Sequence, residues 1–222
     1  MAPLDARSGT VRLPGAGLVA EGPMSAGMTC FAVLVLATVG FDGIGETPLW
    51  SHIHGAAMEV LYRAGVVAQL GYVAAGALVE TAGLLLAPPL FMAVFLMFCR
   101  LSLAAAGDST MTAWSCARRF APTLLPIAIA YHLAHYAWFL LIEGQRMVSL
   151  VSDPFGFGWN LFGTAGYAPD LELVGARWIW LGCIVAVVAG HVVAILLAHV
   201  VALRAFADRC AALRSQGPMV AL

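Results

Sequence analysis

The chain has 222 residues, of which 62% are hydrophobic and 10% charged, with a formal net charge of −1. An ordinary soluble domain carries roughly 25% charged residues, so too little polar surface exists here to wrap a water-soluble globule, and the near-neutral charge, with no phosphate-tracking basic patch, gives no reason to expect nucleic acid. The apolar residues are gathered into runs of about twenty, the length that a ~30 Å hydrocarbon layer demands, which predicts an all-α, polytopic transmembrane helix bundle with the lipid bilayer as its solvent.

Residues 1–24, with Asp5, Glu21 and several Gly and Pro, read as a flexible tail rather than a signal peptide. A first uncharged run covers about 24–41 and ends at Asp42-Gly43. The segment 42–79 then carries His52, His54, Glu59, Arg63 and Gln69 yet stays apolar from Val66 to Leu78. It either lies in the interface as an amphipathic helix or makes a fifth crossing at about 56–78. A second span, about 80–103, opens at Glu80 and contains Pro88-Pro89, which predicts a bend. A third, about 120–141, follows Arg118-Arg119 and leaves through Glu143. Residues 147–174 hold Asp153-Pro154 among glycines and aromatics and read as an ordered loop on the membrane surface. The fourth span is about 178–202, and 206–222 form a C-terminal tail.

Arginine placement chooses between four and five crossings. With four, Arg7, Arg12, Arg118, Arg119, Arg204, Arg209 and Arg214 share one side, and the less basic segments 42–79 and 147–174 share the other. The positive-inside rule then predicts four spans, both termini cytoplasmic, in a cell inner membrane. Trp50, Trp138, Trp159, Trp178 and Trp180 fall toward the outer face, where an aromatic belt sits. The cysteines (Cys30, Cys99, Cys116, Cys183, Cys210) show no CxxC spacing and read as small buried hydrophobes.

Ionisable groups inside spans are costly and call for a reason. His132 and His135, three residues apart, share a helix face, and His191 and His199, two turns apart, share another. By rise per residue, His132 and His191 both lie roughly 15–20 Å from the outer helix ends, so His132, His135 and His191 are expected to converge on a divalent or transition metal ion. Glu143 and Asp42 are the candidate catalytic carboxylates, with Glu80, His199, His52, His54 and Asp153 as secondary candidates. His52 and His54 point the same way if that segment is extended. The plainer reading of these histidines is interhelical hydrogen bonding, worth ~0.6–2 kcal/mol each. Interfacial charge is the plainer reading of the carboxylates. A haem- or metal-binding redox subunit, and a structural or transport subunit without chemistry, are the other function classes open to such a bundle. Residues 152–165 could also fold over the outer mouth as a lid.

At these residues the chain resembles a family of bacterial integral membrane proteins known as fenitrothion hydrolases. The resemblance rests on Phe41-Asp42-Gly43, the run from Pro126 through Tyr131-His132-Leu133-Ala134-His135-Tyr136, the Glu143-Gly144-Gln145 exit, the loop from Ser152-Asp153-Pro154 to Leu161-Phe162-Gly163-Thr164-Ala165, and Gly190-His191-Val192 with Leu197-Ala198-His199. It covers about 31–205. It implies a membrane-bound hydrolase of organophosphate triesters working with a homologous membrane subunit, and it supplies no residue roles.

Overall fold

A computed structural model describes residues 4–5, 10–11, 22–206 and 208–220. Apart from a two-residue antiparallel pair, β1 (Leu4–Asp5) with β2 (Thr10–Val11), the described secondary structure is helical. The fold is all-α, and four helical stretches among the described residues are long and apolar enough to cross a membrane: Ala26–Gly45, Tyr72–Ala106, Ala113–Ser152 and Ala176–Ala205. Their exposed leucines and valines, such as Leu85, Leu86, Val185 and Leu196, suit a lipid environment, since a helix apolar all round is a buried or membrane helix. The expected tail at 1–24 lies largely outside the described residues.

The chain divides into two compact units, residues 1–128 with 192–222, and residues 129–191. In the first, α1 (Ala26–Gly45) starts at Ser25, whose hydroxyl accepts from Met28 N at 3.3 Å and so satisfies one of the orphan amides of the first turn. Met24 is fixed to α5 (Ala113–Phe120) by a reciprocal pair: its N–H donates to Arg118 O at 2.8 Å, and Arg118 Nε donates back to Met24 O at 2.7 Å.

Residues 56–78 do not make a fifth crossing. Thr47 caps α2 (Pro48–Arg63) by accepting from Trp50 N, and Pro48 sits in the first turn, where its missing N–H costs nothing. That helix stops at Gly65 (φ 77°), a short α3 (Val66–Leu70) follows, and Gly71 (φ 85°) breaks the chain again; these left-handed conformations are open to glycine and strained for other residues. Beyond the second break runs α4 (Tyr72–Ala106), 35 residues that pass through Pro88 and Pro89 without ending.

Span two therefore begins eight residues before Glu80. At 35 residues it is ~52 Å long, well beyond the ~30 Å hydrocarbon layer. Left-handed Gly107 closes it, with Asp108 N donating to Leu103 O at 3.0 Å.

Asp108 then starts the turn into α5. Its carboxylate accepts from the N–H and hydroxyl of Thr110, both at 2.7 Å, and from Met111 N at 3.3 Å. The Thr110 hydroxyl, then the backbone donors, hold the Asp108 carboxyl below its ordinary range. A depressed folded-state pKa means a stabilising contribution that is complete above the unfolded carboxyl value, ~3.9, and disappears as pH falls through the folded value. Asp108→Asn is accordingly expected to lower the thermal midpoint at neutral pH, with the gap to the parent narrowing below about pH 4. A gap that stays constant between pH 7 and pH 3 would contradict this.

The apolar core of this unit gathers Val33, Phe95, Cys99, Cys116, Phe120 and Ala202 from α1, α4, α5 and the end of α8 (Ala176–Ala205). The expected C-terminal tail is instead a helix, α9 (Arg209–Val220), packed on α4 with Ala212 and Ser215 fully buried. All five cysteines are free thiols; Cys99 and Cys116 are buried as expected, whereas Cys30 and Cys210 are exposed.

Span three is preceded by the 3-10 turn Ala121–Leu124, and its helix α6 covers Leu125–Ile142. In the second unit, residues 129–142 continue through a 3-10 turn at Glu143–Gln145 into α7 (Arg146–Ser152), and the first half of α8 begins at Ala176. Cys183 Sγ donates to Ala134 O at 3.3 Å, joining α8 to α6.

The connecting loop is tightly organised. Ser152 is fully buried; its hydroxyl donates to Asn160 Oδ1 at 3.2 Å and accepts from Phe162 N (3.0 Å) and Thr164 N (3.3 Å). Gln145 accepts from the Tyr167 hydroxyl and Asp170 N, each at 2.9 Å. Removing the Ser152 hydroxyl leaves two part-buried N–H donors, those of Phe162 and Thr164, unanswered. Ser152→Ala is therefore expected to lower the thermal midpoint of the protein in lipid nanodiscs, and an unchanged midpoint would contradict that role.

Candidate functional site

The expected meeting of His132, His135 and His191 does not form. The Cys183–Ala134 contact sets the register of the two antiparallel spans. Moving eight residues along α8 to His191 corresponds to moving past His132 on α6 by about six more, so the two rings differ in level by ~9 Å, and His135 is further away. His191 also turns to its own helix, donating from Nδ1 to Val187 O at 2.8 Å. His135 packs against Tyr131 and Tyr136, at ring centroid distances of 6.3 and 4.8 Å, and His132 lies 6.1 Å from Tyr136.

Among the described residues no three His, Cys, Asp or Glu side chains gather as ligands. The donor geometry thus does not bring a three-histidine set together.

The carboxylates named from sequence are engaged otherwise or stand apart. Glu143 accepts from Arg146 Nε within one turn. Asp153 accepts from Phe157 N and Gly158 N, each at 2.9 Å, and so shapes its loop. Asp42 is exposed on α1. His199 donates from Nδ1 to Gln216 Oε1 at 2.9 Å, tying α8 to α9.

The residues that do come together lie in the first unit, between α2 and the first third of α4. Trp50, His54 and Met58 recur every four residues along one face of α2, and Ala75, Gly76, Val79, Glu80 and Gly83 form the facing stripe of α4. The helices run antiparallel, with Met58 packed on Ala75 and Val79 at one end and Trp50 at Gly83 at the other. Between these ends Trp50 Nε1 donates to Glu80 Oε1 at 3.2 Å, and His54 Nε2 lies 3.7 Å from the same oxygen.

Glycine makes this approach feasible. A Cβ at Gly83 would stand 2.3 Å from Trp50 Cη2 and 2.7 Å from Phe41 Cζ, while one at Gly76 would lie 3.9 Å from His54 Nε2. Phe41, from the end of α1, closes on Trp50 edge to face at 4.8 Å between centroids. His52 takes no part. Because the segment is helical rather than extended, residues two apart point to nearly opposite faces, and His52 donates from Nδ1 to Pro48 O at 2.6 Å.

The arrangement is a carboxylate backed by an indole N–H and facing an imidazole. His54 Nε2 stands at ion-pair distance from the carboxylate, beyond hydrogen-bond reach, and Nδ1 is the ring's other nitrogen. Among the described residues no hydrogen bond ties that Nδ1 to its own helix, unlike the Nδ1 atoms of His52 and His191. His54 keeps 26% and Glu80 51% of their side-chain surface exposed. Glu80 lies ~12 Å into a helix that outruns the hydrocarbon layer, near the start of its continuous apolar run.

No family model matches the chain, and neither a curated protein nor a solved structure matches it.

Proposed function

We propose that this chain is a multi-pass membrane hydrolase of uncharged organophosphate triesters, with His54 as general base and Glu80 as its orienting carboxylate. The observation that carries this reading is the Trp50–Glu80–His54 constellation at the mouth of an apolar helix pair. His54 Nδ1 takes a proton from water as the water oxygen attacks phosphorus, and the most acidic alkoxide or aryloxide leaves. Glu80 stabilises the imidazolium so formed, as a carboxylate does in an acid–base pair. A triester carries no charge and partitions into the bilayer beside such a site, and its class is the one that the resemblance to fenitrothion hydrolases implies. The reading includes the bacterial inner membrane, both termini cytoplasmic, this pair on the outer side, and a homologous membrane subunit as partner.

The test is release of nitrophenolate from a nitrophenyl phosphotriester by the purified chain in lipid nanodiscs, alone and with its co-purifying membrane partner. Turnover above the lipid blank is expected. A folded protein without turnover in either form, or one carrying the visible absorbance of haem, would contradict the proposal.

A further inference from the structure

The loop between α7 and α8 holds its most apolar residues outside rather than inside. In Phe155-Gly156-Phe157-Gly158-Trp159 the two glycines adopt φ values of 69° and 79°, conformations that L side chains rarely adopt. The resulting turns bring the three rings onto one another, with centroids 5.9, 5.8 and 5.5 Å apart. They form a tripod that faces outward: Phe155 is 68%, Phe157 71% and Trp159 43% exposed, and Phe162 beside them is 68% exposed. Between Asp153 and Asp170 the sequence has no charged residue.

Part of the backbone beneath the tripod is answered from within the loop. Asp153 takes the Phe157 and Gly158 N–H groups, Ser152 those of Phe162 and Thr164, and Asn160 Oδ1 that of Ala165 at 3.1 Å. Leu161 N donates to Ser152 O, and Tyr167 N to Thr164 O. An exposed loop in water has no need of such closure, because water answers its amides. Closure matters where water is scarce, since an unanswered backbone group is costly in lipid.

We infer that this loop is an interfacial wedge, which seats the Phe155–Phe157–Trp159 tripod in the headgroup and acyl boundary of the bilayer. The occupant of the apolar surface is lipid, and two features select it. The tripod is joined through α7 and α8 to helices already read as lipid-facing, and those helices place exposed Trp138, Trp178 and Trp180 in the same unit, an interfacial residue type. An outward aromatic face over a loop whose amides are in part answered from within also suits that layer.

The experiment uses the full chain in phosphatidylcholine nanodiscs with Cys30→Ser, Cys183→Ala and Cys210→Ser, and a nitroxide on Phe157→Cys, on Phe155→Cys, or on Glu172→Cys as the exposed reference. Collision with oxygen, which concentrates in lipid, is compared with collision with a water-soluble nickel chelate. The wedge predicts an oxygen-to-nickel ratio several-fold higher at 155 and 157 than at 172. A ratio at 155 and 157 equal to that at 172 would place the tripod in water and overturn the inference. Shielding from both reagents would overturn it too, assigning the surface to a lid contact or a second copy of the chain.

Discussion

His54→Ala is expected to lower kcat/KM for a nitrophenyl phosphotriester by about 10²–10⁴, the usual contribution of a positioned general base. KM should change little, because His54 acts on the water and does not hold the apolar bulk of the substrate. Glu80→Gln keeps an oxygen that can accept from Trp50 Nε1 but loses the charge that stabilises the imidazolium, so a smaller loss in the same parameter is expected. Nanodisc-reconstituted protein of unchanged helical content provides the measurement. Full activity in His54→Ala would remove the imidazole from the chemistry, and the His52→Ala variant, whose ring donates to Pro48 O, should stay near the parent.

The second large effect concerns packing. Gly83→Ala introduces a Cβ that would stand 2.3 Å from Trp50 and within 2.9 Å of two Phe41 ring atoms. Neither aromatic can yield by a torsion of a flexible tip, so α2 or the end of α1 must move away from α4. Overpacking of this kind costs about 1–3 kcal/mol, against the up to ~1 kcal/mol that alanine normally gains over glycine inside a helix. Gly55→Ala on α2 has open space around its Cβ and is expected to raise the thermal midpoint, the opposite sign. Gly83→Ala should also slow turnover, since any shift of α2 carries Trp50 and His54 away from Glu80. A stabilised, fully active Gly83→Ala would show that α2 does not pack here.

Much of the architecture was legible because lipid imposes a simple rule: uncharged runs of about twenty residues become spanning helices, and spans one and four agree with the sequence to within a few residues at both ends. Span three is longer at both ends, Ala113–Ser152, because α5 and α7 continue its helix α6 through short 3-10 turns, and span two starts earlier. Glu80 looked like its start because a carboxylate is costly in a membrane, yet the helix begins at Tyr72, set by left-handed Gly71. The same shift turns Glu80 from an interfacial end charge into a residue facing a neighbouring helix. His54 was missed as its partner because the segment 48–63 was open to an extended reading; Thr47-Pro48, a cap followed by a first-turn proline, was the local signal for a helix. The i, i+3 pair His132 and His135 was real as a helix face, but sequence carries no register between spans, and the Cys183–Ala134 contact sets His191 at another level. Gly76 and Gly83 on the Glu80 face, three or four residues either side, were the legible sign of a close helix approach.

The claim that His54 and Glu80 form one reactive unit is tested most directly by a double-mutant cycle on kcat/KM with His54→Ala, Glu80→Gln and the double variant. If the carboxylate works only through the imidazole, the double variant falls no further than His54→Ala alone. Losses that multiply independently would mean that the two side chains act separately, and the site built on their contact would be wrong.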